Sequence, residues 1–292
     1  MSDHPPPKES PPSPQPGVTP RKGSEEAGDQ GKGTGPSGDS SPAGVDFGIP
    51  FTDKVLAAEN LLKRYNRRSV VDHASLAVAP GEIVGLLGPN GAGKTTIFYM
   101  IAGVIRPDEG EIFMAGERLT PLPIHRRARR GLGYLPQERS VFRRLTVEQN
   151  VLAVLEQSGL SREERHERTE KGLAELGLTQ IRDSIGYQLS GGEARRLEIA
   201  RALALDPSFI LLDEPFAGVD PIAVLDIQEV IGQIRDRGIG VLITDHNVRE
   251  TLGITNRAYI INQGQVLVHG VPEDLVHHET ARKIYLGEQF TL

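Results

Sequence analysis

Residues 83–96 read Ile-Val-Gly-Leu-Leu-Gly-Pro-Asn-Gly-Ala-Gly-Lys-Thr-Thr. Ile83–Leu87 is a continuous apolar run, the pattern of a strand buried on both faces. Gly88 to Thr95 then fits G-x-x-x-x-G-K-[ST]. Beyond it, Ile97, Phe98, Ile101, Val104 and Ile105 recur near the helical period. Strand, glycine loop and helix together form the context in which this motif holds phosphate. The glycines let the backbone turn so tightly that successive N–H groups converge on one concavity, and the helix start adds its positive end. Lys94 is placed to reach β- and γ-phosphates, and the Thr95 hydroxyl suits Mg2+. The candidate phosphate cradle is therefore Gly88, Asn90, Gly91, Ala92, Gly93, Lys94, Thr95 and Thr96.

Working outward, the chain changes character near residue 52. Of its 21 Pro, 11 lie in the first 50 of 292 residues, alongside Gly, Ser and mixed charge. Such a stretch buries too little apolar surface to offset its ordering entropy, so residues 1–52 are expected to be a disordered tail. PPPKESPPSPQP within it has the polyproline character that aromatic grooves bind, but its plainer reading is an unstructured extension. Residues 53–292 are long enough for one large domain. Short β-type runs at Val55–Glu59 and Ser69–Val78 flank a polar, turn-like Lys63–Arg68. Thr146 to Leu178 reads as charged helix, with Gly177 as a stop. Strand signals return at Phe209–Leu212, Val241–Thr244, Ala258–Ile261 and Val266–Val268, and Pro221–Asp236 is a helix with Val224, Ile227, Ile231 and Ile234 inward. Alternating strands and helices predict a mostly parallel α/β sheet covered on both sides, with an all-helical insertion between the glycine loop and the Phe209 strand.

Composition excludes several classes. With no Cys, disulfides, thiol catalysis and Cys-zinc sites are out. No run approaches the roughly 18 apolar residues that span a bilayer. MSDHPPPKES lacks the apolar core of a secretory signal. A net charge of −6 argues against nucleic-acid binding driven by counterion release. An intracellular, soluble protein is the expectation.

Two further motifs carry chemistry. In Phe209-Ile-Leu-Leu-Asp-Glu, an apolar strand ends in two acids, at the sheet edge where open α/β folds bind ligands. Alone the string also fits a solvated acidic turn. Next to the phosphate loop, Asp213 suits the Mg2+ shell and Glu214 a base that polarises attacking water. Leu189-Ser-Gly-Gly-Glu193 places Ser190, Gly191 and Gly192 at a helix start, a second anion-binding nest. One nucleotide does not need two nests, so the second is expected to serve another subunit's nucleotide.

The order of motifs resembles the ATP-binding subunits of ABC transporters, over roughly residues 53–292. The resemblance covers Gly88–Thr96 (Walker A), Gln137 in YLPQE (Q-loop), LSGGE (signature, with Glu193 where many members have Gln), FILLDE (Walker B), AGVDP at Ala217–Pro221 (D-loop) and the switch histidine in Thr244-Asp-His246. It implies a P-loop NTPase fold with a RecA-like core of mixed sheet, an antiparallel β subdomain, and a helical subdomain at roughly 138–205. It also implies adenine stacking on Tyr65, Gln137 at Mg2+ and water, and His246 at the γ-phosphate. ATP and Mg2+ are the implied ligands, and Glu214, His246 and Gln137 the catalytic set, with Thr95, Gln137 and Asp213 toward the metal. Two copies would close head to tail, each ATP meeting Ser190, Gly191, Gly192 and Glu193 of the other. TTIFYMIAG, YLPQERSVFRRLTVEQNV, TDHNVRET and the terminal YLGEQF resemble the ATPases of lipopolysaccharide export systems. Such ATPases sit on the cytoplasmic face of the inner membrane, under two integral subunits whose coupling helices they receive, and do not touch the transported substrate. Branched-chain amino acid importers are the neighbouring alternative, and non-transport ABC ATPases or a nucleotide-gated scaffold the more remote ones.

Some residues have plainer readings. A lone His246 fits a surface histidine, and Tyr65 a strand-end aromatic. The run His125–Arg130 reads as a solvated helix face rather than a lipid-headgroup site. Phe98 fits its helix's core face, whereas Phe142, Arg143 and Arg144 follow the Q-loop and are candidates to line a partner groove.

Overall fold

The apolar run before the glycine loop does become a strand with every residue buried, and the rest of the domain is arranged around it. A computed structural model describes residues 54–292, so the readings made for the tail lie outside the described residues. In chain order the elements are β1 (Leu56–Tyr65), β2 (Arg68–Val78), β3 (Ile83–Leu87), α1 (Lys94–Ala102), β4 (Glu109–Met114), the short β5 (Glu117–Arg118), α2 (Ile124–Ala128), β6 (Leu132–Leu135), α3 (Val147–Leu155), α4 (Arg162–Glu175), α5 (Gly191–Leu203), β7 (Phe209–Asp213), α6 (Pro221–Asp236), β8 (Gly240–Thr244), α7 (Val248–Leu252), β9 (Arg257–Asn262), β10 (Gln265–Gly270), α8 (Pro272–His277) and α9 (Glu279–Ala281).

Two sheets form. The first is antiparallel, in the order β2-β1-β4-β5, and the second runs β10-β9-β3-β8-β7-β6. In the second, β6, β7, β8, β3 and β9 are parallel, and β10 pairs antiparallel on β9, so the core sheet is mixed. β3, β7 and β8 are buried at every position, as expected for strands covered on both faces. One core cluster joins α1 and the antiparallel sheet to one face, and another packs α3, α5 and α6 on the opposite face. The helices α3, α4 and α5 fall between β6 and β7. Each of the three starts with a capping box: Thr146 with Gln149, Ser161 with Glu164, Ser190 with Glu193.

Several expectations need correction. β1 runs on through Lys63–Tyr65, and the hairpin turn narrows to Asn66 and Arg67, whose φ of 47° and 67° suit a tight two-residue turn. Register shifts along β1 let its polar residues stay in the ladder, which hid the strand. α1 stops at Ala102, because Gly103 takes a left-handed φ of 82°, so Val104 and Ile105 lie past the cap. Three strands unread in the sequence, β4, β5 and β6, lie between the glycine loop and the helices α3, α4 and α5, and β6 is the sheet's edge strand. Arg127 is not solvated. It is one of the largest fully buried side chains, at 1% exposure.

The buried strands should dominate stability. Leu242→Ala, in the centre of β8, is expected to lower unfolding free energy by about 2–5 kcal/mol, whereas Ile222→Ala at an exposed position should stay within about 0.5 kcal/mol. Urea unfolding of the two variants checks this contrast.

Candidate functional site

The parallel sheet brings four loops to one edge. β3 leads into the glycine loop, β6 into Gln137, β7 into Glu214 and β8 into His246. Gly88 and Gly93 are obligatory glycines. A Cβ at Gly88 would collide with the Ile261 carbonyl oxygen, and one at Gly93, whose φ is 109°, would sit 2.8 Å from the Val70 carbonyl oxygen. The loop is braced from the turn between β9 and β10, where Gly264 N–H donates to Ala92 O at 2.9 Å. Lys94 is buried, and its ammonium donates to Gly88 O at 2.6 Å and Pro89 O at 3.1 Å. Burial holds its pKa below the usual lysine value, against the opposing pull of Glu214 and Asp213. Asn90, Gly91 and Thr95 are exposed at the mouth of the loop, with Thr96 half-buried beside them and Ala92 beneath.

Asp213 ends β7, buried, and its pKa is pushed up to about 6, first by burial and then by the charge of Glu214. Tyr134 of β6 donates its hydroxyl to Asp213 Oδ2 at 3.4 Å. The next residue, Glu214, has φ 47°, rare for a residue with a side chain, and its N–H donates to Thr244 O at 2.7 Å. That turn breaks the strand's alternation and fixes the direction of the acid. Gln137 Nε2 donates to Glu214 Oε2 at 2.6 Å, and His246 Nε2 lies 2.7 Å from Glu214 Oε1. All three catalytic candidates thus meet at one carboxylate. Asp245, unremarked in the sequence, supports the loop: its two oxygens accept from Phe216 N and Asn247 N, each at 2.9 Å.

Ser190 and Glu193 direct their hydrogen bonds to each other, closing the box at the start of α5. Those bonds hold the Glu193 carboxyl below its usual pKa. A Gln at this position closes the same box, so Glu193 is no structural departure. Gly192 packs against α6, where a Cβ would come 2.8 Å from Ala223 Cβ. Asp220 and Pro221 of the AGVDP segment cap α6, Asp220 Oδ1 accepting from Ala223 N at 3.0 Å. Sequence reasoning missed the buried pair Arg195–Glu198. Arg195 donates to Pro136 O at 3.1 Å, Glu198 at 3.0 Å and Asp213 O at 3.0 Å, and Glu198 accepts from Ser140 N at 2.5 Å. The pair ties α5 to both flanks of Gln137; the only signal for it was an Arg and a Glu three apart on one helix. Tyr65 is exposed at the end of β1, with Lys63 Nζ 5.6 Å from its ring centroid. No hydrogen bond among the described residues joins Tyr65 or the Ser190 box to the glycine loop.

The oxygen donors of Thr95, Asp213 and Gln137 suit a hard divalent cation. Buried Asp213, with its raised pKa and Tyr134 as its side-chain partner, is a carboxylate that such a cation would favour in the charged form. Glu148, His166 and Glu170 form a second cluster of possible ligands, but Arg182 already binds both carboxylates, at 2.6 Å and 2.5 Å. On the other side of β6, a groove of about 210 Å3 is lined by Ile124, Ala128, Tyr134, Arg201 and Leu205 among others. Phe142 lies near it, 44% exposed, under the Arg201 guanidinium at 4.2 Å. Among the described residues no helix is long and apolar enough to cross a membrane.

The family model described as ABC transporter matches residues 71–217. The chain is 61% identical over 239 residues to the "Lipopolysaccharide export system ATP-binding protein LptB" of Acidithiobacillus ferridurans, covering 82% of this chain and 99% of the relative. Among solved structures it is similar to the ADP conformation of MJ1267, an ATP-binding cassette of an ABC transporter, with a TM-score of 0.73 at 28% identity, covering 81% of this chain and 100% of that one. It is also similar to the dimeric post-hydrolysis state of the cassette MJ0796 bound to ADP and Pi, with a TM-score of 0.66 at 25% identity, covering 74% and 98%.

The site's electrostatics are testable without ligand. Asp213 binds its proton more tightly folded than unfolded, so it disfavours folding as pH rises through its pKa and this penalty fades below it. In a carboxyl-carbon NMR titration it should titrate at about 6. Tyr134→Phe removes a donor to the charged form and should move that midpoint higher.

Proposed function

The chain belongs to the ABC transporter ATP-binding family, and from that premise we propose that it is the ATP-hydrolysing subunit of a lipopolysaccharide exporter. The name of the relative at 61% identity favours export over amino acid import. The observation that carries the chemistry is the convergence of Gln137 and His246 on the Glu214 carboxylate.

In this reading the glycine-loop N–H groups and Lys94 hold the β- and γ-phosphates, and Tyr65 stacks on adenine. Thr95, Asp213 and Gln137 would hold Mg2+, which would supply charge neutralisation at the phosphates. Glu214 accepts a hydrogen bond from the attacking water and polarises it, with Gln137 and His246 fixing the carboxylate. His246 is over half exposed, so while its Nε2 stays on Glu214 its other ring nitrogen is left for the γ-phosphate. Two copies close head to tail. The Ser190 box leaves the Gly191 and Gly192 amides as first-turn donors, and these meet the γ-phosphate held by the other copy. ATP then favours the closed pair only through contacts the open pair lacks, and hydrolysis removes them. The groove beside Phe142, Arg143 and Arg144 receives the coupling helices of two integral subunits, with this subunit peripheral on the cytoplasmic face of the inner membrane. The transported lipid stays with those subunits.

Glu214→Gln should keep ATP binding, lower phosphate release by at least about a hundredfold, and elute as a dimer with ATP in size exclusion. A variant that stays monomeric with ATP bound contradicts the head-to-tail pair. Co-purification from membranes identifies the integral partners.

A further inference from the structure

Arg127 has an unusual position for an arginine. It belongs to α2, it is 1% exposed, and no carboxylate pairs with it among the described residues. Its partners are all backbone carbonyls. Nη1 donates to Met100 O at 2.7 Å and Ile101 O at 2.6 Å, Nε to Leu122 O at 2.8 Å, and Nη2 to Thr120 O at 3.3 Å. Met100 and Ile101 form the last turn of α1, whose first turn is the phosphate loop's Lys94, Thr95 and Thr96. A cation there answers the negative end of the helix dipole, which is how a charge with no counter-ion is accommodated in the core. Burial lowers its pKa to about 10, so it stays charged at neutral pH.

The attachment is close and specific. Ile124 N–H donates to Gly103 O at 3.2 Å, joining the start of α2 to the residue that ends α1. A Cβ on Gly103 would come 2.7 Å from Arg127 Nε, so the glycine also makes room for the guanidinium. α1 itself is nine residues long, a rigid rod of roughly 13 Å. On α2 next to Arg127, Ile124 and Ala128 line the apolar groove. One short helix therefore touches the groove through two side chains and the carbonyl end of the phosphate-binding helix through a third.

We infer that Arg127 is a positioning residue that fixes the phosphate-binding helix by its carbonyl end, and that through it the groove wall and the phosphate loop move as one unit. The assignment stands whatever occupies the groove, so it does not depend on the docking of membrane subunits. Linkage makes the coupling reciprocal: if groove occupancy is felt at the phosphates, nucleotide must be felt in the groove.

The chain contains no Trp, so Ile124→Trp places a single fluorophore at the groove wall. The experiment uses the isolated full chain, with ADP saturation verified by calorimetry. With Arg127 intact, ADP should change the emission of the introduced indole. In Ile124→Trp with Arg127→Lys, which keeps the charge but not the fork, the change should fall about twofold, and with Arg127→Met it should disappear. If the Met variant does not fold, the Lys variant decides. An emission change of the same size in the Lys background, or none with Arg127 intact, overturns the assignment. Cross-linking of Ile124→Cys to membrane subunits tests the docking reading separately.

Discussion

A carboxylate withdrawn from water needs donors on its oxygens, and Glu214 obtains one on each. Those donors come from loops far apart in sequence, after β6 and after β8. They meet because β6, β7 and β8 are neighbours in a parallel sheet, so their C-terminal ends share one edge. β3, on the other side of β8, brings the glycine loop to the same edge. The left-handed φ at Glu214 and the Asp245 bridge hold the acid and its donors in register. Hydrogen bonds to a charged group contribute about 1.5–3 kcal/mol each, enough to offset part of the desolvation that confining the acid requires.

The same edge concentrates charge that opposes folding. Asp213 and Glu214 are adjacent and buried, and the charge of Glu214 disfavours ionisation of Asp213. Lys94 is desolvated in the same space. Hydrophobic clusters on both faces of the sheet supply the stability that lets this arrangement persist. In the proposed function a triphosphate would give Lys94 an anionic partner and a divalent cation would give Asp213 a cationic one, so binding would relieve this tension.

Much of this was readable in the residues because it depends on local patterns. The loop from Gly88 to Thr96 needs particular residues at fixed spacing, Pro221–Asp236 shows its apolar face plainly, and FILLDE is an apolar run that ends in acids. What escaped the reading depends on distant contacts. β4 is half-polar because it lies in the smaller, partly exposed sheet, and β6 is only four residues long, at an edge. Arg127 looks like its neighbours Arg126, Arg129 and Arg130, and only the open carbonyls at the end of α1 distinguish it. The Arg195–Glu198 pair is likewise buried by Pro136, Ser140 and Asp213, none of which is near it in sequence. Ser190 was read at a helix start for its chemistry and Asp220 only within AGVDP, yet both are helix caps.

The central claim is that Gln137 and His246 act on water through one shared carboxylate. Single-turnover phosphate release in Gln137→Ala, His246→Ala and the double variant tests it directly. Groups that work through a common partner are strongly non-additive. The double variant should therefore be no slower than about threefold below the slower single variant. If the two losses multiply in full, Gln137 and His246 act independently, and the shared hold on Glu214 is not what positions the water.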